Sequence, residues 1–312
     1  SKIESGKMTL NMDVVSLRET MEGIVSIVQP QLKAKKQQFD VFIHDIEVEN
    51  VYCDSVRLNQ VLLNFLSNAV KFTPEGGTIH IALSEEESPL GDNYIRVHIR
   101  VKDNGMGMSP EFKEKIFESF AREDNKRVHK TEGTGLGMAI TRNIVEMMNG
   151  TISVESEINK GSVFTVELTL KLQDIEKNAA QIKELEGLRA LVVDDDFNTC
   201  DSVSKMLKQI GMRSEWTTSG REAVYRAKIA CEEGDAYHTY IIDWQMPETS
   251  GVETARRIRS VVGPDAPIII LTAYDWSDIE EEAKTAGITD FCEKQLFMSD
   301  LKAALLAANN LI

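Results

Sequence analysis

The chain has 312 residues, a length that suits two domains of about 150 residues better than one core. With 42% hydrophobic and 27% charged residues it has the composition of an ordinary globular protein. Its formal net charge of −15 argues against binding a nucleic-acid backbone, which rests on Lys and Arg, but not against ATP, whose phosphates Mg²⁺ and backbone N–H groups can hold.

In chain order, residues 1–6 read as the tail of a helix that begins upstream, so the chain is expected to be a fragment. Ser55–Phe72 is predicted as a helix, with Asp54 or Ser55 as its cap and Pro74 just past its end. Thr78–Leu83 and Tyr94–Val101 alternate apolar and polar residues as half-buried strands do, with Ser84–Asn93 a polar turn region between them. Gly135–Asn149 is helical and stopped by Gly150, and Thr151–Ser156 and Ser162–Lys171 return as strands. Strands joined by hairpins with helices grouped elsewhere predict an α+β sandwich covered on one face. Gln173–Glu186 is charged, with Ile175, Ile182 and Leu185 at helical spacing, and reads as a helical linker. From Leu188 short apolar strands at Ala190–Val193, Tyr240–Ile242, Ile268–Leu271 and near Phe291, with a weaker one at Ser214–Thr218, alternate with helix-length segments. That rhythm predicts a parallel sheet buried on both faces.

Three features of the first block point to a nucleotide. The largely apolar helix Ser55–Phe72 carries Arg57, Asn64, Asn68 and Lys71 within one stripe at about 100° per residue. Amide oxygens suit a hard cation, and an ammonium suits phosphates. In Tyr94–Asp103, Asp103 continues the apolar face of Ile95, Val97, Ile99 and Val101, where a carboxylate is costly unless it gains a donor such as an adenine amine. Gly105 and Gly107 follow at once and would let a planar base approach the backbone. Finally Gly133, Gly135, Leu136 and Gly137 form a glycine-rich turn running into a helix, whose free N–H groups attract phosphate. The polar stretch Arg122–Thr134 before it would suit a lid.

In the second block carboxylates gather where strands end. Asp194, Asp195 and Asp196 follow one strand and Asp243 follows another. Open parallel sheets bind ligands at that edge, and a divalent cation relieves the repulsion of converging acids. Thr272 and Lys294 lie beyond two further strands and would add a hydroxyl and an ammonium for a phosphoryl group.

These motifs carry a resemblance. Asn64, Asn68, Lys71 and Phe72, then Asp103 with Gly105 and Gly107, then Phe117 and Phe120, then the glycines at 133, 135 and 137, resemble the N, G1, F and G2 boxes of histidine-kinase catalytic domains of the Bergerat fold, and Gly161 to Phe164 resembles the closing G3 box. The set Asp194, Asp195, Asp243, Thr272 and Lys294 resembles a response-regulator receiver domain. The chain therefore resembles a hybrid sensor histidine kinase. Implied are α/β architecture overall, a remnant dimerisation helix over 1–9, a two-layer α+β ATP-binding catalytic domain over 10–172, a linker over 173–187, and a flavodoxin-like five-stranded receiver over 188–312.

The resemblance implies that Asn68 and Asn64 serve Mg²⁺ and the phosphates of ATP, that Asp103 reads adenine, and that Phe117 and Phe120 anchor the lid. It implies that Asp243 becomes the aspartyl phosphate and that Asp194, Asp195 and the Gln245 carbonyl hold Mg²⁺. Thr272 and Lys294 would bind phosphoryl oxygens, with Phe291 at the aromatic switch position and Asp196 a solvated turn residue. ATPase relatives place a glutamate base where Asn64 stands; an amide cannot take a proton from water, so Asn64 favours transfer to a protein over hydrolysis. The family's Lys-Pro is here Lys294-Gln295, and a cis bond before Gln would cost about 2.5–4 kcal/mol. None of the five histidines has the acceptor context, His44, His80, His98, His129 and His238 reading as ordinary surface histidines. The acceptor is therefore expected upstream, in a partner dimerisation domain that makes the full-length protein a homodimer, with a downstream phosphotransfer protein or response regulator as the next acceptor.

Cys53, Cys200, Cys231 and Cys292 show no C-x-x-C spacing and read as reduced thiols. No apolar run approaches the ~18 residues of a membrane span, and Ser1 begins no signal peptide. A cytoplasmic setting without membrane or nucleic-acid contact is expected for this chain, with any membrane anchor elsewhere in the parent protein.

Overall fold

Capping and apolar spacing build the first half of the chain one element at a time. Ser16 accepts the Glu19 N–H and starts α1 (Leu17–Ala34) after a short β1 (Asp13–Ser16). Strands β2 (Gln38–His44) and β3 (Asn50–Cys53) follow, and Asp54 caps α2 (Ser55–Phe72) by accepting the Arg57 N–H. Then come β4 (Thr78–Glu87), β5 (Tyr94–Asp103), the six-residue α3 (Pro110–Lys115), α4 (Gly137–Met147), β6 (Thr151–Glu157) and β7 (Gly161–Leu172). This computed structural model describes residues 9–118, 137–173, 180–272, 280–294 and 296–311, and the chain divides into two units after residue 175.

The first unit is a two-layer sandwich. Its sheet runs β1-β3-β7-β5-β4-β2, with β6 also paired to β7, and is antiparallel except for the parallel β2–β4 pair. One face of the sheet is apolar: Ile79, Ile81 and Leu83 of β4, Ile95, Val97, Ile99 and Val101 of β5, and Val166, Leu168 and Leu170 of β7 are buried. Against it α2 lays Leu58, Val61, Leu62, Phe65, Leu66, Ala69 and Val70, the three-and-four spacing of an amphipathic helix.

Two expectations change here. The span Ser84–Asn93 is not all turn, because β4 runs on to Glu87 with Glu85, Glu86 and Glu87 opposite Val97, Arg96 and Ile95. Glutamate is a poor strand residue by itself, but ladder pairing with β5 and the Glu47 and Val48 N–H groups that Glu85 accepts override that preference. No element is delimited from the sequence between residues 10 and 54, yet β1, α1, β2 and β3 form there.

In the second unit β8 (Arg189–Val193), α5 (Phe197–Ile210), β9 (Arg213–Thr217), α6 (Gly220–Glu232), β10 (Thr239–Asp243), α7 (Gly251–Val262), β11 (Ile268–Thr272), α8 (Glu280–Thr285), β12 (Asp290–Glu293) and α9 (Met298–Ala308) alternate. The parallel sheet has the order β12-β11-β10-β8-β9 and is buried on both faces by separate helix layers. Asp196 is exposed just before α5, as expected, and it also has a structural part as the N-cap of α5, accepting from the Asn198 N–H and the Thr199 hydroxyl. The described end of the expected linker helix is a single 3₁₀ turn over Lys183–Leu185. Its apolar spacing has another use: Ile182 and Leu185 are buried in the second unit's core, and the Ile182 N–H donates to Ile210 O. Among the described residues no helix is long and apolar enough to cross a membrane.

Candidate functional sites

At the carboxyl edge of the second unit's sheet, β8 ends before Asp194 and β10 ends on Asp243 because these strands are hydrogen-bonded in parallel register. Asp194, Asp195 and Asp243 bring one carboxylate oxygen each to within 4.8 Å of the others. Asp194 and Asp243 are buried while Asp195 is exposed. The Asp194 and Asp243 Oδ2 atoms accept no well-directed hydrogen bond among the described residues. Lys294 Nζ nevertheless stands 3.2 Å from Asp243 Oδ2 and 3.7 Å from Asp194 Oδ2.

The electrostatics follow from burial. Burial and then the neighbouring Asp243 push Asp194 up to about 7, with Lys294 pulling it down. Burial likewise pushes Asp243 up to about 6 against the pull of Lys294. Burial lowers the Lys294 ammonium, but Asp194 and Asp243 together outweigh it and leave the group above its ordinary value. Three converging carboxylates, two of them buried and faced by a single ammonium, fit a hard divalent cation such as Mg²⁺.

Thr272 is buried at the end of β11, and its carbonyl accepts the Lys294 N–H at 2.7 Å, so the two lie side by side at the same edge. The Gln245 N–H lies 3.4 Å from Asp243 Oδ1. Asp195, Trp244, Gln245, Met246 and Pro247 help line an open groove of about 580 Å³. Gly251 is required by backbone approach: a Cβ there would meet the Asp243 carbonyl at 2.1 Å. Phe291 is half-buried against the layer of Tyr240 and Ile258, not fully buried. Gln295 lies outside the described residues.

In the first unit α2 and α4 are tied by Asn64. Its Nδ2 donates to Thr141 Oγ1 at 2.9 Å and to Gly137 O at 3.3 Å. A backbone carbonyl accepts only from the amide nitrogen, so the Asn64 amide orientation is forced and its oxygen takes no part in this pair of bonds. Thr141 was not anticipated. It is fully buried among Met138, Ile144 and Val145, and a hydroxyl inside an apolar helical stripe is the signal that marks it. Asn68 and Lys71 follow on α2, both half-buried, and Lys71 Nζ lies 5.6 Å from the Phe72 ring centroid.

Asp103 ends β5 on its buried face, as its alternation predicts. Its Oδ1 accepts the Gly105 N–H at 2.9 Å. Burial raises its carboxyl above the ordinary value, against the lowering effect of the Gly105 and Ser162 N–H groups. The glycines that follow have a reason beyond ligand access. A Cβ on Gly105 would meet Phe72 O at 2.4 Å, and one on Gly107, at φ +67°, would meet Glu157 O at 2.0 Å. Gly161, at φ +101°, packs equally close to Asp103 O. Ser156 adds a bracket, accepting the Met108 N–H and sharing a hydrogen bond with Ser162.

Phe117 is half-buried beyond α3, whereas Phe120, Gly133, Gly135, Leu136 and the expected lid Arg122–Thr134 lie outside the described residues. So do His129, residues 1–8 and residues 174–179. His44, His80 and His98 lie on strands and His238 just before β10, so among the described residues no helix carries a histidine.

Residues 53–172 match the histidine kinase-, DNA gyrase B- and HSP90-like ATPases, and residues 190–306 match the response regulator receiver domain. The chain is similar to the autoinducer 2 sensor kinase/phosphatase LuxQ of Vibrio vulnificus, at 30% identity over 98% of this chain and 36% of LuxQ. It is also similar to the sensor protein GacS of Pseudomonas syringae pv. syringae, at 31% identity over 69% of this chain and 23% of GacS. The chain thus spans 36% or less of the length of these relatives. The crystal structure of full-length ShkA in complex with AMPPNP shares its fold, with a TM-score of 0.62 over 96% of this chain and 58% of that one at 23% identity. In its domain content the chain therefore belongs to the hybrid sensor kinases, joining a histidine-kinase-type ATPase domain to a response-regulator receiver domain.

Proposed function

We propose that the first domain binds Mg-ATP and transfers its γ-phosphoryl group to a histidine on a separate dimerisation domain, and that Asp243 then accepts the group. The observation that carries this reading is the acidic cluster of Asp194, Asp195 and Asp243 with Lys294 Nζ 3.2 Å from Asp243. It is a site with no structural need for so many charges. A divalent cation bound there supplies charge neutralisation for the carboxylates and for incoming phosphoryl oxygens.

In the first step an imidazole nitrogen forms a bond to the γ-phosphorus and ADP departs. Asn64, an amide with both N–H bonds spent on Gly137 and Thr141, cannot act as a base for water, which favours transfer over hydrolysis. Asp103 supplies an acceptor for the adenine amine, and Asn68 and Lys71 serve the metal and phosphates. In the second step a carboxylate oxygen of Asp243 attacks phosphorus in line, the N–P bond breaks, and the imidazole leaves. Lys294 and the Thr272 hydroxyl hold phosphoryl oxygens as negative charge shifts onto them. The setting is the cytoplasm, and a phosphotransfer protein or response regulator is the downstream acceptor.

The test supplies a matching dimerisation domain in trans with labelled Mg-ATP. Label should appear on its histidine and then on this chain, and Asp243→Ala should keep the first and lose the second. No label on the histidine would reduce the first domain to a binding module. Steady phosphate release without any acceptor would make it an ATPase.

A further inference from the structure

The carbonyl end of α2 is held from outside by the turn between α1 and β2. The last carbonyls of a helix have no partners within it and carry the negative end of its dipole. Lys35, the C-cap residue of α1, places Nζ 2.6 Å from Val70 O, 2.8 Å from Thr73 O and 3.4 Å from Lys71 O. Two residues on, the buried Gln37 donates through Nε2 to Val70 O at 3.0 Å and to Thr73 O at 2.7 Å. One ammonium and one amide thus fasten the same two carbonyls from two directions.

Between those fastened residues lies Phe72, whose carbonyl has another partner. Phe72 O accepts the Met106 N–H at 3.2 Å, and Gly105 packs so close that a Cβ would stand 2.4 Å from that oxygen. The Gly105 N–H in turn donates to Asp103 Oδ1. A continuous path therefore runs from Lys35 and Gln37, through the α2 carbonyls, to the Asp103 side chain. The same helix presents Asn64, Asn68 and Lys71.

We infer that Lys35 and Gln37 are positioning residues for nucleotide binding, which set the end of α2 so that Phe72 O registers the Asp103–Gly107 turn against the helix bearing Asn64, Asn68 and Lys71. The inference rests on the nucleotide reading of the first domain. It assigns different roles to adjacent lysines. Lys36, at φ 50°, turns its side chain outward, where it is 80% exposed and stands 3.7 Å from Glu75. Lys35 holds the helix, and Lys36 does not.

Titration of the full chain with Mg-ATP by calorimetry, at a temperature where each variant is folded, tests this. Lys35→Met should weaken binding about tenfold, Lys35→Arg should recover most of the loss because a guanidinium also donates to carbonyls, and Lys36→Met should bind like the parent. Gln37→Met removes two donors at nearly constant volume and should weaken binding several-fold, and it serves as the test if Lys35→Met does not fold. Amide exchange at Gly105 and Met106 should quicken in the weakened variants while β6 and β7 amides keep their rates. A parent that binds Mg-ATP alongside folded Lys35→Met or Gln37→Met variants of equal affinity overturns the positioning role and leaves the nucleotide site standing. A parent that does not bind Mg-ATP removes both.

Discussion

Glu85 belongs to neither proposed site, and it sets a pH dependence on the first unit that can be worked out in advance. It is 6% exposed on β4. Its Oε1 accepts the Glu47 and Val48 N–H groups, both at 2.9 Å, while Oε2 is buried without a partner among the described residues. Burial pushes the carboxyl from 4.5 up to about 7, with the two N–H bonds pulling it part of the way back and Glu47 and Glu49 adding to the rise. Below pH 4.5 Glu85 is neutral in both folded and unfolded chains and costs nothing. As pH rises from 4.5 to 7 the unfolded chain ionises first, so stability falls, and above 7 the loss is complete. At about 1.4 kcal/mol per pH unit the loss amounts to about 3 kcal/mol. Glu85→Gln keeps the acceptor and abolishes the titration, so it should exceed the parent by about 3 kcal/mol at pH 8 and by less than about 1 kcal/mol at pH 5. Urea denaturation read by far-UV circular dichroism follows both units. Tryptophan fluorescence follows only the second, because all three tryptophans, Trp216, Trp244 and Trp276, lie there, and that transition should not move. A gain at pH 8 no larger than the gain at pH 5 would refute the reasoning.

Three further outcomes are expected. Mg²⁺ should raise the melting temperature of the second unit, with stabilisation approaching about 2.7 kcal/mol at a hundred times the dissociation constant; Asp195→Ala should lose most of that gain, and an equal gain in both proteins would take Asp195 out of the site. Gly105→Ala forces a Cβ against Phe72 O and should cost about 1–3 kcal/mol while weakening Mg-ATP binding; unchanged urea and nucleotide titrations would mean the two backbones do not approach so closely. Thr141→Val keeps the side-chain shape but removes the acceptor for Asn64, so about 1 kcal/mol of stability and part of the phosphotransfer rate should go. Parent-like values for both would leave the Asn64 orientation to other groups.

What could be read from the sequence was local in origin. The bounds of α2 follow from Asp54 before it and Pro74 after it, and β10 and β11 follow from apolar runs too short for helices. The acids at 194, 195 and 243 were legible because parallel strands deliver their ends to one edge whatever lies between them. Ser16 with Glu19 three residues on, and Leu17, Met21, Ile24 and Val28 at helical spacing, carry the same kind of helix signal for α1. What stayed hidden depends on residues far apart in the chain. Nothing near Glu85 reveals that the Glu47 and Val48 amides will come to meet it, and nothing near Gln37 shows its bond to Thr73. The glycines after Asp103 illustrate the limit. Their pattern correctly marks a place where something comes close, but at Gly105 and Gly107 the neighbour is the protein's own backbone.

Burial alone does not distinguish a chemical carboxylate from a structural one, since it raises Glu85, Asp103, Asp194 and Asp243 alike. What differs is the compensation within reach. Glu85 meets two backbone donors and sits beside a pairing strand, so folding itself accounts for its position. At the receiver edge the sheet brings together three carboxylates and one ammonium, from segments that have no need of one another's charge. Fully ionised, that group carries a net charge of −2, which one divalent cation cancels. On the proposed reading, an incoming phosphoryl group would then meet Lys294 and the Thr272 hydroxyl without an opposing field. Without a cation, burial holds both carboxyls above the ordinary range, Asp194 at about 7 and Asp243 at about 6, with Lys294 pulling each down. Cation binding and phosphoryl acceptance are thus coupled, on the proposed reading, through one electrostatic balance.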